Sequence, residues 1–235
     1  MILAAGLGTR LGEIGRHTPK ALVDVGGITA LERVARRLTA AGADRLIINV
    51  HHHADRIMEY VRSRGGFGVD VMFSHEEDAP LETGGGIMHA RGLFRGDAPF
   101  LVHNVDVLCD ADLAALYAAH GHDDMADRPR IATLAVNRRI TRRYLDFEDG
   151  SLSGRLDPAA HERDGSGEHF AFAGIHVIAP GFFDLVTERG AFSIMDAYLR
   201  LAAEGHRIAG HDISDATWLE IGTPERLAAA RRLLG

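Results

Sequence analysis

Apolar residues recur along the chain in short runs, separated by stretches with helical spacing, from the first residue into the last third. Met1–Ala5 reads as a buried strand, followed by a glycine-rich loop from Gly6 to Gly15. Thr29 can cap a helix running to about Ala41, because Leu31, Val34, Ala35 and Leu38 share one face and Gly42 supplies a stop. Leu46–Val50 predicts a second strand, Asp55–Arg62 a helix and Val69–Ser74 a third strand. A Gly84–Gly86 loop leads into a helix near Ile87–Leu93. Phe100–Val105 then predicts a fourth strand and Asp112–His120 another helix. This alternation is the pattern of a largely parallel sheet with crossover helices.

From Ile131 the pattern loosens. Ile131–Val136 predicts a strand, and Tyr144–Phe147 and Leu152–Leu156 flank Asp149-Gly150, a favourable hairpin turn. The polar stretch Asp157–His169 reads as a mobile loop and Phe170–Ile178 as a strand. Ser193–Ala203 predicts a helix, and Arg207–Ile213 and Trp218–Ile221 the last strands. Thr223-Pro224-Glu225 opens the final helix with a cap, a first-turn proline and a first-turn acid. With no internal repeat and no linker, residues 1–235 are read as one α/β domain, a Rossmann-like three-layer α/β/α arrangement around a mostly parallel central sheet.

Composition narrows the classes. The chain is 46% hydrophobic and 25% charged, ordinary for a globular protein. No apolar run approaches the ~20 residues that span a bilayer. No basic segment precedes Met1-Ile2-Leu3, so no signal peptide is expected, and the lone Cys109 suits a reducing cytoplasm. A net charge of −7 argues against broad nucleic-acid binding through the phosphate backbone. A small anionic substrate stays compatible with it, since local cations and backbone amides can outweigh a mild global charge.

The most informative stretch is Leu3-Ala4-Ala5-Gly6-Leu7-Gly8-Thr9-Arg10-Leu11. Glycines after a strand let backbone N–H groups approach phosphate oxygens without a Cβ in the way. Arg10 adds a planar fork of donors inside the loop, and Thr18-Pro19-Lys20 brings a compact charge on a long stem. Together they can clamp a triphosphate and neutralise charge on its α-phosphate. Read blandly, the glycines are tight turns and both cations are solvated. Asp106 ends the predicted fourth strand, where open α/β sheets bind ligands, and suits Mg²⁺, which takes one or two carboxylates plus substrate phosphates. The three histidines His51, His52 and His53 point in divergent directions and read as structural or surface residues. Cys109 reads as an inert, partly buried thiol.

Gly6-Leu7-Gly8-Thr9-Arg10-Leu11, then Pro19-Lys20-Ala21-Leu22-Val23 and Val25-Gly26-Gly27, resembles the signature of the sugar-1-phosphate nucleotidyltransferases, whose fold is of the nucleotide-diphospho-sugar transferase type. The resemblance spans the chain, strongest over 1–27 and 81–107. It implies that Leu3, Ala4, Ala5, Gly6, Gly8 and Thr9 hold the nucleotide while Arg10 and Lys20 contact the reacting phosphates. Leu81-Glu82-Thr83-Gly84-Gly85-Gly86-Ile87 resembles the segment along the nucleobase, with Glu82 and the amides of Gly84 and Gly85 as base contacts. Asp106 matches the metal aspartate. Glu220, in Trp218-Leu219-Glu220-Ile221-Gly222-Thr223, stands where a second metal aspartate is usual, and Val105 where a glycine is usual. Asn104 and Gly174 fall on the sugar side. The Glu-Lys-Pro segment whose lysine holds the sugar phosphate in many relatives is not visible after Asn137. Arg139, Arg142 and Arg143 are the cations available to replace it, and the sequence selects none of them.

The resemblance thus implies an Mg²⁺-assisted enzyme that joins a triphosphate, UTP or GTP, to a sugar 1-phosphate. Residues 1–130 form its nucleotide half and 131–235 its sugar half, without an appended β-helix, as a monomer or small homo-oligomer. The short format and the Leu-Glu-Thr-Gly-Gly-Gly segment are most similar to the N-acetylmuramate-1-phosphate uridylyltransferase and mannose- and heptose-1-phosphate guanylyltransferase branches. Two other readings stand beside it. A nicotinamide-dependent oxidoreductase would use Gly6, Gly8 and Gly12 but wants an acid at the end of the second strand, where the chain has Asn49. A catalytically weak nucleotide sensor is prompted by Glu220 and Val105.

Overall fold

Apolar side chains alternate along the central strands so that these strands contribute to two separate cores. In the computed structural model, which describes residues 1–122, 129–156 and 169–234, Leu46, Ile48 and Val50 pack into one core and Ile47 into the other. Ala173, Ile175 and Val177 join the first of these cores, Phe170 and Ile178 the second. Helices therefore cover both faces of a central sheet, giving three layers.

The sheet has nine strands: β1 (Ile2–Leu3), β4 (Arg45–Val50), β5 (Asp70–His75), β6 (Phe100–Asn104), β8 (Arg130–Asn137), β9 (Tyr144–Glu148), β10 (Ser151–Arg155), β11 (Phe170–Ile178) and β12 (Arg207–Asp212). Its order is β5-β4-β1-β6-β11-β8-β12-β10-β9. Two small ladders stand apart, β2 (Asp24–Val25) with β3 (Ile28–Thr29), and β7 (Val107–Cys109) with β13 (Trp218–Glu220). The helices are α1 (Glu13–His17), α2 (Ala30–Ala40), α3 (Ala54–Ser63), α4 (Glu82–His89), α5 (Leu113–Gly121), α6 (Phe182–Leu185), α7 (Ile194–Ala203) and α8 (Pro224–Leu234). None is long and apolar enough to cross a membrane among the described residues.

Within the sheet β5, β4, β1 and β6 pair in parallel, as the alternating pattern predicts. Beyond them the sheet is mixed: β11 runs antiparallel to both β6 and β8, and β9 and β10 form an antiparallel hairpin. The hairpin follows from Asp149-Gly150, where both residues have positive φ (49° and 73°), the combination of a type I′ turn. Thr29 caps α2 as expected, accepting from the Glu32 N–H at 3.1 Å, and Asp112, read as the first residue of a helix, instead caps α5 by accepting from the Ala115 N–H at 2.9 Å. The expected mobile loop at Asp157–His169 lies outside the described residues except for His169.

One helix is displaced from its expected place. The Gly84–Gly86 segment is not a loop before a helix but lies inside α4, which begins at Glu82. Glycine's weak helix propensity is overridden because these positions pack closely against another segment. A Cβ at Gly84 would lie 2.2 Å from the Phe192 ring, and one at Gly85 2.3 Å from the Gly190 carbonyl oxygen.

Candidate active site

The carboxyl ends of the parallel strands lie side by side, with Leu3 in register with Asn49 on one flank and Asn104 on the other. This is where open α/β sheets place ligands. The chain leaves β1 through buried Ala4 and half-buried Ala5, and Gly6, Leu7 and Thr9 are exposed. Gly8 adopts φ +66°, a conformation that favours glycine, and the turn closes with the Leu11 N–H donating to the Gly8 carbonyl at 2.9 Å. A Cβ on Gly8 would sit 3.5 Å from Lys20 Cβ, so the loop rests on the Pro19-Lys20 segment.

A third, small core lies under this region and ties its charged residues to the fold. It contains Leu11, Val23, Leu108 and Ile221, together with Leu227 and Ala230 of α8. Arg10 precedes Leu11 and Glu220 precedes Ile221. Lys20 and Asp106 lie within three residues of Val23 and Leu108. Burying the apolar neighbour fixes the backbone from which each polar side chain projects.

Two ion-pair groups result. The Lys20 ammonium donates to Asp106 Oδ2, and these side chains are only 11% and 19% exposed. Arg10 Nη2 donates to Glu220 Oε1 at 3.3 Å, while Arg226 of α8 pairs with Glu220 Oε2. Backbone joins the acids' segments: the Ile221 N–H donates to the Asp106 carbonyl at 3.0 Å, and Glu220 pairs with Val107 across the β7–β13 ladder. The five side chains carry three positive charges against two negative, an excess that suits a polyanion.

Among the described residues no group of three or more His, Cys, Asp or Glu side chains is placed to hold a metal. Two carboxylates are nevertheless the donor set that Mg²⁺ uses when substrate phosphates and water complete its shell. The nitrogen and sulfur ligands preferred by Zn²⁺ are not part of this set.

On the other side of Asp106, Gly174 sits at an irregularity of β11 with φ +79°. A Cβ there would lie 2.9 Å from Asn104 Nδ2 and 3.0 Å from Val107 Cγ2. The sequence-predicted pair Asn104 and Gly174 is thus brought together beside the acids. Behind it, His103 and His176 are fully buried, and burial pushes their imidazolium pKa values down to about 4 and about 3, so both back the site as neutral rings. His53 caps α3 with φ 58°, and burial lowers its pKa as well.

The base segment corrects an expectation. The N–H groups of Gly84 and Gly85 both point to the Phe192 carbonyl, at 2.9 and 3.4 Å, so these two amides are already engaged and do not present themselves to a base edge. Glu82 is exposed at the start of α4 with φ +59°. Sequence reasoning missed the buried Glu76, which accepts from Asn49 Nδ2 at 2.7 Å and from the Leu81 N–H at 2.8 Å, fixing the approach to α4. It also missed Arg226, whose only signal was its place one turn into the helix after Glu220. Asn49 is committed to Glu76, so β4 ends without the ribose-binding acid of a dinucleotide fold.

A family model described as the MobA-like NTP transferase domain matches residues 1–151. The chain is 32% identical to N-acetylmuramate alpha-1-phosphate uridylyltransferase of Caulobacter vibrioides, over 99% of this chain and 96% of the relative. It is 31% identical to the Neisseria meningitidis serogroup B protein of the same name, over 100% and 97%. Among solved structures, HddC from Yersinia pseudotuberculosis complexed with GMP-PN superposes with a TM-score of 0.77 at 23% identity, covering 100% of this chain and 98% of that one, a likeness of fold. The glycine loop, the Pro-Lys pair and the full-length similarity agree: the chain belongs to the MobA-like NTP transferase family, and within it to the sugar-1-phosphate nucleotidyltransferases.

Proposed function

We propose that the chain joins the nucleotidyl group of UTP to N-acetylmuramate 1-phosphate or a closely related sugar 1-phosphate, with Mg²⁺ held by Asp106 and Glu220. The class of reaction follows from family membership. The choice of UTP and of the sugar is supported by the two full-length relatives that carry those words in their names. The observation that carries the site assignment is the convergence of Arg10 and Lys20 on Glu220 and Asp106 at the glycine loop.

A phosphate oxygen of the sugar 1-phosphate attacks the α-phosphorus, the bond to the bridging oxygen breaks, and pyrophosphate departs with the electron pair. The attacking oxygen is already ionised near neutral pH, so no general base is required. Catalysis rests on alignment and charge neutralisation. The bound ion would supply positive charge at the reacting phosphates. Arg10 and Lys20 stabilise the triphosphate as charge moves to the leaving group, and the loop from Leu3 to Thr9 holds the nucleotide. Asn104 and Gly174 border the sugar. A reaction fed by nucleoside triphosphates suits the cytoplasm, as does the single cysteine.

The test is pyrophosphate release across a panel of triphosphates and sugar 1-phosphates, with and without Mg²⁺. Release that requires both substrates and the ion, and is fastest with UTP and N-acetylmuramate 1-phosphate, is the expected result. Nucleotide binding without release from any pair would replace this reading with that of a sensor.

A further inference from the structure

A cavity of about 470 Å³ opens between α2, the β7–β13 ladder and the end of α8. None of the glycine loop, Lys20, Asp106 or Glu220 borders it. Its walls are mainly apolar, with Val34 on α2, Leu108 and Leu219 on the ladder and Leu234 on α8. A space of this size holds a small organic molecule, and apolar walls with a few placed polar groups are the usual make-up of a ligand site.

The polar side of the cavity is α2. Arg33 and Arg37 stand one turn apart on that helix and both border the space. Like charges at this spacing repel. Arg33 Nε donates to the Val25 carbonyl at 2.7 Å and its Nη2 to the Gly26 carbonyl at 3.1 Å, both neutral oxygens. Arg37 Nη2 donates to the Ala111 carbonyl, and its Nε is buried with no acceptor among the described residues. Neither guanidinium has a carboxylate partner among the described residues, whereas Arg36 between them is paired with Glu32. Two uncompensated cations beside an apolar wall call for an anion that carries an apolar body, and a carboxylate also supplies the acceptor that the buried N–H lacks. We propose that this cavity binds a small amphiphilic carboxylate, its head on Arg33 and Arg37 and its hydrocarbon chain along Leu108 and Leu219. The proposal goes beyond the transferase reading and does not depend on it.

Octanoate is titrated into the full chain by calorimetry, beside 1-octanol, which lacks the charge, and acetate, which lacks the chain. Cys109, the only cysteine in the chain and half-buried on the cavity wall, gives a second reading through its rate of alkylation by N-ethylmaleimide. Octanoate should bind saturably and slow the alkylation in proportion to occupancy. 1-Octanol should bind about 10- to 100-fold more weakly, the usual loss for a charge-assisted contact. Acetate should bind more than about 100-fold more weakly, since each buried methylene is worth about fourfold. Arg37→Gln should weaken octanoate about 10-fold or more and leave 1-octanol as it was. Leu233→Asp sets a negative charge on the rim at an exposed position, where the core is not disturbed, and should weaken octanoate more than 1-octanol. Absence of saturable octanoate binding, equal affinity for octanoate and 1-octanol, or wild-type octanoate affinity in either variant would overturn the proposal. So would displacement of octanoate by UTP with Mg²⁺, which would put the carboxylate on the cations of the glycine loop instead.

Discussion

Replacing Gly222 by alanine should separate the site's chemistry from its stability. Gly222 is buried, and a Cβ built on it falls 1.9 Å from Glu220 Oε1, 3.0 Å from Glu220 Cδ and 2.9 Å from Arg10 Nη2. The Glu220 carboxylate would have to retreat by roughly 1.5 Å to reach ordinary van der Waals separation. It is the far end of a flexible side chain, so it can move without moving the backbone. The Gly222 backbone is not in the left-handed region, so alanine is conformationally acceptable there and gains about 0.4–1 kcal/mol by restricting the unfolded chain. Against this stands the weakened Arg10–Glu220 pair, worth at most ~1 kcal/mol because Arg10 is 64% exposed. Stability should therefore change little. A carboxylate displaced by about 1 Å at a reacting phosphate can lower turnover by about 10²-fold. Pyrophosphate release over an Mg²⁺ titration, with thermal unfolding measured alongside, should show a large loss of rate, a raised Mg²⁺ requirement and a near-unchanged Tm. Combining Gly222→Ala with Glu220→Gln should add little to either alone, since both act on one group. Wild-type turnover at the wild-type Mg²⁺ requirement in Gly222→Ala would show that Glu220 has no part in the reaction.

Other outcomes follow from the same geometry. Lys20→Ala and Asp106→Ala should each cut turnover about 10²–10³-fold with far-UV circular dichroism retained, and near-normal rates in both would remove these residues from the mechanism. Gly84→Ala, whose Cβ would lie 2.2 Å from the Phe192 ring, should lose about 1–3 kcal/mol in urea unfolding; unaltered stability would contradict the packing reading of the α4 glycines. Burial depresses the folded-state pKa of His103 to about 4 and of His176 to about 3, from 6.5, so the stability they contribute is present above the unfolded value and is lost as pH falls below it. Each should cost about 2 kcal/mol between about pH 8 and about pH 5, and His176→Gln should flatten the profile by one such step. A wild-type chain as stable at the lower pH as at the higher would contradict this.

The fold was legible where one physical rule dominates. Leu46–Val50 announces itself as a short, mostly apolar run and Phe170–Ile178 by its alternation of apolar with small or polar residues, and Thr29 because an N-cap needs a side-chain acceptor. Strand direction in the second half was less legible. Only the Asp149-Gly150 turn encodes it locally, and the antiparallel placement of β11 between β6 and β8 depends on contacts distant in sequence. The glycines of α4 misled for a related reason. Their helical state is set by Phe192 and Gly190, a segment that carries no mark of its partner. In the site, Arg10, Lys20, Asp106 and Glu220 could be read because each sits in a short motif with its own local logic. Arg226 and Glu76 could not. Arg226 reads as one more solvated residue of a helix, and the partner that buries Glu76, Asn49, lies on another strand.

The ion pairs also divide the cations by how freely each can change partners. Arg10 and Arg226 are 64% and 58% exposed while the Glu220 they share is 13% exposed, so either guanidinium can leave with little penalty, as exposed pairs contribute at most ~1 kcal/mol. Lys20 and Asp106 are withdrawn together, at 11% and 19%, and separating them would strand a poorly hydrated charge on each side. Lys20 is therefore a fixed post held by Asp106, while Arg10 and Arg226 share one carboxylate and either can exchange it for another anion. On the proposal that Glu220 holds a divalent ion, the ion would take the place of those guanidiniums on the carboxylate, and its binding and their release would favour one another. The strength of that coupling would be set by how little the two arginines lose on leaving it.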